Sequence, residues 1–449
     1  MFEFGRELKR ILGADASRDD ADASLLELID AELLHTEAKA ANVSAGRVST
    51  KDRHPRYVEA ALIWREHARR TGLFQSLREA ASACELAGKH SRTAVEAARA
   101  ALEQALTCLT GVDLFGGDQL LAAARGLVEE GAGGARSDPL LEARYEAAFA
   151  RVASREALAA NDYDRALEAA ALFDAAVHRL DGLAKGRGAS TVCLEAALAR
   201  IERADLLAGF GLRLKERRLL EHASADLAQL VERLDADYEP LTFVRCEELR
   251  GSTLVALGEV AGLAEKIAEG VSVLARLGAV APSDHSPLDW ARSHHALGLG
   301  LEALGETCDS DTAFEQAEAA FDQALVSGDR PGLVLRATVA NNRAACLARA
   351  AERRGDLIAL ARAEGAFKAE LAGLSAEKDP VGWAVLQVNL GRLYESRAEL
   401  LGDFREREQA AYAFEGALDV FAEHGLKALA ENAGAGLERV RASAGSGGL

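Results

Sequence analysis

The chain has 449 residues, of which 49% are hydrophobic, 5% are aromatic and seven are prolines, and its formal net charge is −18. Ala, Leu, Glu and Arg are abundant, and these strong helix formers predict an all-α protein. The acidic balance disfavours contact with phosphate backbones and argues against a nucleic-acid partner. Because no apolar run reaches membrane-span length and no signal-peptide pattern precedes the chain, a soluble cytoplasmic protein is expected.

The six cysteines lie far apart, and none belongs to a CxxC pair. This spacing fits neither a disulfide framework nor a zinc knuckle. The cysteines are therefore expected to be small core residues in a reducing compartment. The Ala-rich composition, with Arg favoured over Lys, is typical of a GC-rich bacterium.

Residues 1–56 are predicted to form N-terminal helices and a polar linker. The first segment, MFEFGRELKRILG, is a short basic amphipathic helix in which bases adjoin an apolar face. The apolar residues of this segment are Phe2, Phe4, Leu8, Ile11 and Leu12. Such a helix can pack on the first repeat or on a second copy of the protein, dock on a partner, or lie on an anionic membrane surface.

Residues 57–192 are predicted to be degenerate helical repeats. A helix pair is expected over 90–130 with its break at GVDLFGGD (111–118), and a second helix begins within ALAANDYDRALEAAALF (157–173). Two glycine-rich stretches, EEGAGGARSDP (129–139) and GLAKGRGAST (182–191), are predicted to be loops between helical units.

A longer repeat follows. PLDWARSHHALG starts at Pro287 and PVGWAVLQVNLG at Pro380, and in both a tryptophan comes three residues after the proline and Leu-Gly ten residues after it. Small and aromatic residues recur 20, 24 and 27 positions beyond each Leu-Gly leucine. The repeat anchors, spaced by 46 or 47 residues, are Arg203, Arg250, Leu297, Arg343 and Leu390.

The pattern predicts five helix pairs, over 193–239, 240–286, 287–332, 333–379 and 380–426. Gly391 and Ala410 should let the two helices of the last pair approach closely, with Phe414 filling the groove beside them. Residues 427–449 are predicted to be a capping helix followed by a flexible tail.

These residues resemble the tetratricopeptide repeat family. The resemblance lies in Asn389-Leu390-Gly391, Tyr394, Gly402-Asp403, Ala410, Phe414 and Ala417, with a unit of 46–47 residues where the family has 34. It covers about residues 193–426 and is closest to long-unit bacterial arrays. It implies a right-handed α-solenoid whose first helices line a concave groove.

The resemblance also implies that positions two before and two after the anchor, with their neighbours, face this groove. The partner-binding residues so predicted are Arg245, Glu248, Ser252, Arg292, His295, Glu302, Asn341, Asn342, Asn389, Arg392 and Glu395. Asn and Arg side chains can hold peptide amides and carboxylates through paired hydrogen bonds. The alternative for each residue is an ordinary solvated face.

The sequence gives less support to a metal site, a phosphate loop or a catalytic site. Adjacent helical residues such as His294 and His295 point about 100° apart and cannot share one metal, so no metal site is expected. The glycine-rich stretches do not fit a phosphate loop, and no nucleophile motif is present, so neither a cofactor nor an enzymatic activity is expected.

The sequence therefore predicts a non-catalytic scaffold or adaptor that binds a peptide or helix of another protein in its groove. One alternative is a regulatory sensor whose solenoid responds to a small ligand or peptide. Another is an adaptor that the N-terminal helix recruits to a membrane.

Overall fold

The structure is a computed structural model that describes residues 23–47, 52–184, 189–326, 333–373, 377, 380–423 and 427–445. Within these ranges every regular element is helical and no strand occurs, so the predicted all-α class is confirmed. A 3-10 helix, Ala23–Leu28, comes first. The α-helices, in chain order, are α1 Ala31–Gly46, α2 His54–Thr71, α3 Phe74–Lys89, α4 Ala94–Phe115, α5 Asp118–Ala135, α6 Pro139–Ala160, α7 Tyr163–Leu183, α8 Ala189–Leu214, α9 Arg217–Val231, α10 Pro240–Ala261, α11 Ala264–Leu274, α12 Leu277–Val280, α13 Pro287–Cys308, α14 Asp311–Val326, α15 Leu333–Arg354, α16 Leu357–Gly373, α17 Pro380–Leu401, α18 Phe404–Glu423 and α19 Lys427–Gly445.

Local signals in the sequence set many helix ends. Proline occupies the start of α6 and of α10, where its missing N–H costs no hydrogen bond. Asp138 caps α6 by accepting hydrogen bonds from the N–H groups of Leu140 and Leu141. Gly262 and Gly402 end their helices with φ of 68° and 66°, a left-handed conformation that favours glycine.

Consecutive helices pack as antiparallel-type hairpins of the kind found in tetratricopeptide-like repeats. In the hairpin of α17 and α18, a Cβ added to Gly391 would lie 3.0 Å from the Phe414 ring, and both Phe414 and Ala410 are fully buried. The predicted role of these three residues is thus confirmed. In the hairpin of α10 and α11, a Cβ added to Gly251 would lie even closer to Leu274, at 2.6 Å.

One loop prediction is wrong. Residues 129–135 continue helix α5, although they contain three glycines. The reason is close packing, because a Cβ on Gly131 would lie 2.0 Å from the Tyr145 hydroxyl, and one on Gly134 would lie 2.7 Å from the Ala94 carbonyl oxygen. These glycines lower the helix propensity but let α5 approach α4 and α6. The other stretch begins in α7, ends in α8 and includes 185–188, which lie outside the described residues.

The chain divides into two compact units, of which unit 1 comprises 1–303 and 326–335, and unit 2 comprises 304–325 and 336–449. In unit 1 the 3-10 helix and α1 pack on α2 and α3 through Leu26, Ile29, Leu34 and Trp64. In unit 2 the core runs from α15 to α19, and Leu437 of the last helix packs against it.

The cysteines match their prediction in part. Cys84, Cys246 and Cys346 are buried, whereas Cys193 and Cys308 are exposed, so the prediction of core positions is wrong for these two. None of the described helices combines the length and the apolarity that crossing a membrane requires.

Candidate partner-binding surfaces

The first helices of the hairpins in unit 1 lie side by side and are joined by ion pairs between neighbours. We call the side chains that form these pairs the inner wall. From α2 to α8, the cross-helix pairs are Arg65–Glu103, Asp113–Arg155 (2.8 Å), Arg144–Glu195 (3.0 Å) and Arg151–Glu202 (2.7 Å). Opposite charges therefore alternate along the wall from one helix to the next.

The inner wall closes on itself. Arg245 of α10 lies 3.7 Å from Asp289 of α13, and Arg69 of α2 donates to both oxygens of the same carboxylate, at 2.9 and 3.1 Å. The sixth first helix thus contacts the first, and unit 1 is a ring of helix pairs. Asp289 is the joining residue, with 2% of its side chain exposed.

The N-terminal 3-10 helix packs beside the point where the ring closes and contacts both α10 and α2. The Glu27 carboxylate accepts hydrogen bonds from the N–H groups of Leu241 and Thr242, both at 3.1 Å, at the start of α10. His285 forms a 2.6 Å hydrogen bond with the Glu27 carbonyl oxygen. The fully buried Arg70 donates to the carbonyl oxygens of Leu26 and Ile29. The closure combines these polar contacts with an apolar cluster in which Leu288 of α13 packs with Ala68 of α2.

Arg292 on α13 points into the ring interior. It lies 3.9 Å from Asp289 and is close enough to Asp113, Asp205 and Glu248, on three other helices, to stabilise their charges. Burial alone would raise the pKa of Asp289, but Arg69 and Arg292 hold it below its usual value. The Arg292 guanidinium thus stabilises the negative charges of carboxylates on several different helices.

The alternation of charges fails at one junction. Between α8 and α10 the two acids Asp205 and Glu248 are near each other, and neither forms an ion pair within the described residues. Glu248 accepts a 3.2 Å hydrogen bond from the Ser252 hydroxyl, which is neutral. We call this place, formed by Asp205, Glu248 and Ser252, the open junction.

The electrostatics of the two acids differ from those of the paired ones. Desolvation raises the pKa of Glu248 to about 7, with Asp205 adding to the rise and Arg292 opposing it. Desolvation also raises the pKa of Asp205, with Glu202 and Asp113 adding to the rise and Arg155 and Arg292 opposing it, although the residue is exposed. Two carboxylates that bases stabilise only from a distance, without a direct ion pair, favour a further cation between them.

The predicted groove residues in unit 1 fall into two sets. Arg245, Glu248, Ser252 and Arg292 belong to the inner wall of the ring. Desolvation lowers the pKa of His295 to about 4, and Glu302 is buried, with 4% exposed.

In unit 2 the corresponding helices α15, α17 and α19 carry neutral amides and exposed ion pairs. Asn389 donates a 2.9 Å hydrogen bond to Asn341, and Arg392 donates one of 3.0 Å to Asn432. Glu395 pairs with Arg439, whose side chain is 55% exposed. Asn342 is half-buried on α15 beside Asn341. The predicted residues of unit 2 are thus brought together by neighbouring helices.

Sequence reasoning missed several wall residues. Asp205 lies two positions after the anchor Arg203, so the same offset rule would have found it. Asp113 and Arg155 belong to repeats too degenerate for an anchor to be assigned, and no sequence signal identifies them. Among the repeat anchors, Arg203 pairs with Asp174 and Arg343 with Asp322, on the preceding helix in each case. At these two anchor positions an arginine forms an ion pair, whereas the leucine anchors of other repeats can form only apolar contacts.

The remaining candidate residues either pack against neighbouring side chains or lie outside the described residues. His294 stacks on Trp290, with ring centroids 4.1 Å apart, and both lie against Gly278. Within the described residues no group of three or more His, Cys, Asp or Glu side chains is arranged to hold a metal ion. The amphipathic segment with Phe2, Phe4, Leu8, Ile11 and Leu12 lies outside the described residues.

No protein-family model matches the sequence, and a search of the curated proteins finds no relative. Several solved structures are similar in fold. A Rap protein in complex with competence and sporulation factor is 10% identical, with a TM-score of 0.43, 86% of this chain covered and 98% of that one. Aspartyl phosphate phosphatase F from Bacillus subtilis is 12% identical, with a TM-score of 0.42 and coverage of 88% and 95%.

A third similar structure is a signal transduction ATPase with numerous domains from Pyrococcus horikoshii, which has a tetratricopeptide repeat sensor. It is 12% identical, with a TM-score of 0.46, and the match covers 95% of this chain and 57% of that protein. These similarities are too distant to indicate a ligand or a partner. What they share with this chain is the tandem helix-pair fold.

Proposed function

We propose that the protein is a non-catalytic interaction scaffold that binds an extended peptide segment of a partner, and that a basic side chain of the partner enters the ring of unit 1. The observation that carries this proposal is the open junction between α8 and α10. Every other junction of the inner wall has an acid in an ion pair with a base, whereas Asp205 and Glu248 form no ion pair within the described residues and feel Arg155 and Arg292 only from a distance. A guanidinium or ammonium group of a partner, bound between these two acids, would extend the alternation of acids and bases to this junction.

The geometry also supports the choice of ligand. Asp205 reaches water, so a ligand can approach it from the ring interior. A planar guanidinium can donate to two carboxylates at once, and partial desolvation strengthens such charge-assisted hydrogen bonds. In unit 2, the amides of Asn341 and Asn389 and the guanidinium of Arg392 can hydrogen-bond peptide backbone and carboxylate groups.

The test is selection of a random peptide library on the purified protein, followed by binding isotherms for selected peptides. The wild type should enrich peptides with arginine or lysine, and the Asp205→Asn, Glu248→Gln double variant should bind them at least tenfold more weakly. The matched control is Asp164→Asn, Glu168→Gln, which removes two exposed acids of helix α7 and should leave affinity unchanged. Equal affinity in both double variants contradicts the proposal.

The ring interior specifically favours a second candidate, the sensor for a small ligand. Free arginine or methylguanidinium would then bind as tightly as the peptides do. A peptide scaffold instead requires that flanking residues add affinity, so that the peptides outbind the free cations. Weaker binding at pH 6 than at pH 8 is expected in either case, since Glu248 is more protonated at the lower pH.

A further inference from the structure

The turn side of unit 2 carries an unusual concentration of exposed apolar side chains. They lie at two adjacent hairpin turns, one between α15 and α16 and the other between α17 and α18. A Cβ on Gly355 in the first turn would be 3.7 Å from Leu400 in the second, so the two turns are neighbours. The exposed residues, which we call the apolar edge, are Leu357 (38%), Ile358 (78%), Leu400 (47%), Leu401 (49%) and Phe404 (60%).

Neither turn requires these apolar side chains in order to form. Asp356 already caps α16 by accepting hydrogen bonds from Ile358 and Ala359, and Gly402 already ends α17. The turn between α13 and α14 shows that a polar sequence serves equally well, because Asp309 and Ser310 occupy it. A contiguous apolar surface on an acidic protein marks an interaction site.

We propose that the apolar edge binds the amphipathic segment, residues 2–12, of a second copy of this chain, and that two copies exchange their segments reciprocally. The segment carries a complementary pattern, since Phe4, Leu8, Ile11 and Leu12 share one face at helical spacing. The five exposed side chains of the apolar edge thus have a counterpart of four apolar side chains in the sequence of the same chain.

The area argues for a reciprocal exchange. Nine apolar side chains, at roughly 60–100 Å² each, give about 540–900 Å² for one docked segment. A stable interface buries about 1,200–2,000 Å². One segment falls short of this range, whereas two segments exchanged around a twofold axis reach it. Arg6, Lys9 and Arg10 would meet Asp356 and Glu399 at the edge, but Arg405 is also there, so apolar contact makes the main contribution.

The experiment is sedimentation equilibrium of the full chain over a range of concentrations, with three variants. The wild type should be a dimer, and deletion of residues 2–12 should raise the dimer dissociation constant at least 100-fold. Ile358→Glu with Phe404→Glu should do the same. The matched control, Leu212→Glu with Leu214→Glu, places charges at the exposed apolar turn between α8 and α9 and should leave the dimer intact.

The exchange itself is tested by a photo-crosslinking amino acid at Phe4, in a mixture of isotopically heavy and light protein. Crosslinks from a light residue 4 to a heavy peptide containing Ile358 or Phe404 are expected. A monomeric wild type, a dimer that survives either variant, or crosslinks confined to one copy would each overturn the proposal. So would binding of residues 2–12 to anionic phosphatidylserine vesicles by a protein that stays monomeric.

Discussion

The inner faces of the two units use the same repeat positions in opposite ways. In unit 1 these positions carry charges that pair around a closed ring, and Asp289, which joins three arginines, is 2% exposed. In unit 2 the equivalent helices carry amide pairs and ion pairs such as Glu395–Arg439, in which the Arg439 side chain is 55% exposed. A position in a repeat therefore fixes the direction of a side chain but not its energetic role, which depends on how much water surrounds it.

The largest expected effect comes from breaking the ring at its joining residue. Asp289→Asn removes the negative charge that Arg69, Arg245 and Arg292 share and leaves buried cations with too few partners. The free energy of unfolding should fall by about 3–5 kcal/mol. Urea denaturation measures the loss, and hydrogen exchange should show faster opening of α2 and α13. A loss below about 1 kcal/mol would mean that the ring is held by apolar contacts instead.

An intermediate effect, of opposite sign, is expected at the open junction. The folded pKa of Glu248, about 7, lies above the ordinary glutamate value of 4.5, so its stabilising contribution is complete below pH 4.5 and is lost as the pH rises to about 7. Because Gln cannot ionise, Glu248→Gln should stabilise the protein at pH 8 by on the order of 1–3 kcal/mol.

Thermal unfolding of Glu248→Gln and wild type at pH 5 and pH 8 measures this difference. The two proteins should differ little at pH 5, and a pH-independent difference would contradict the assigned pKa. A variant that gains stability while losing affinity for basic peptides would separate the function of Glu248 from its role in folding.

The smallest effect is expected in unit 2. Glu395→Gln breaks its ion pair with Arg439, but the Arg439 side chain is 55% exposed and water solvates it after the change, so the free energy of unfolding should fall by no more than about 0.5 kcal/mol. Chemical denaturation of this variant beside Asp289→Asn compares the two inner faces directly. Similar losses in both would show that burial does not distinguish the two faces.

Much of the fold follows from local patterns. The Pro-x-x-Trp openings and Leu-Gly anchors predicted helix pairs in the second half of the chain, and Pro287 and Pro380 begin helices as expected. Local patterns misled at Gly131 and Gly134, where helix propensity argued for a loop. Tyr145 and Ala94 on neighbouring helices need the space that the glycines leave.

The candidate site was only partly predictable, and the reason is distance along the chain. The offset rule identified Arg245, Glu248 and Arg292 because they recur at repeat positions. It could not pair Asp289 with Arg69, which is 220 residues away, or show that Glu27 caps α10. Those contacts depend on the angle between successive helix pairs, which accumulates over the array and brings its ends together.

The sequence alone determined the helical class and predicted the helix pairs, because helix periodicity and small-residue spacing are local properties. The tertiary structure decided that six first helices close into a ring, that acids and bases alternate around it, and that Asp205 and Glu248 meet without a direct ion pair. Ring closure depends on the crossing angles of all successive helix pairs, which no local pattern specifies. The burial that raises the pKa of Glu248 exists only once the ring has formed.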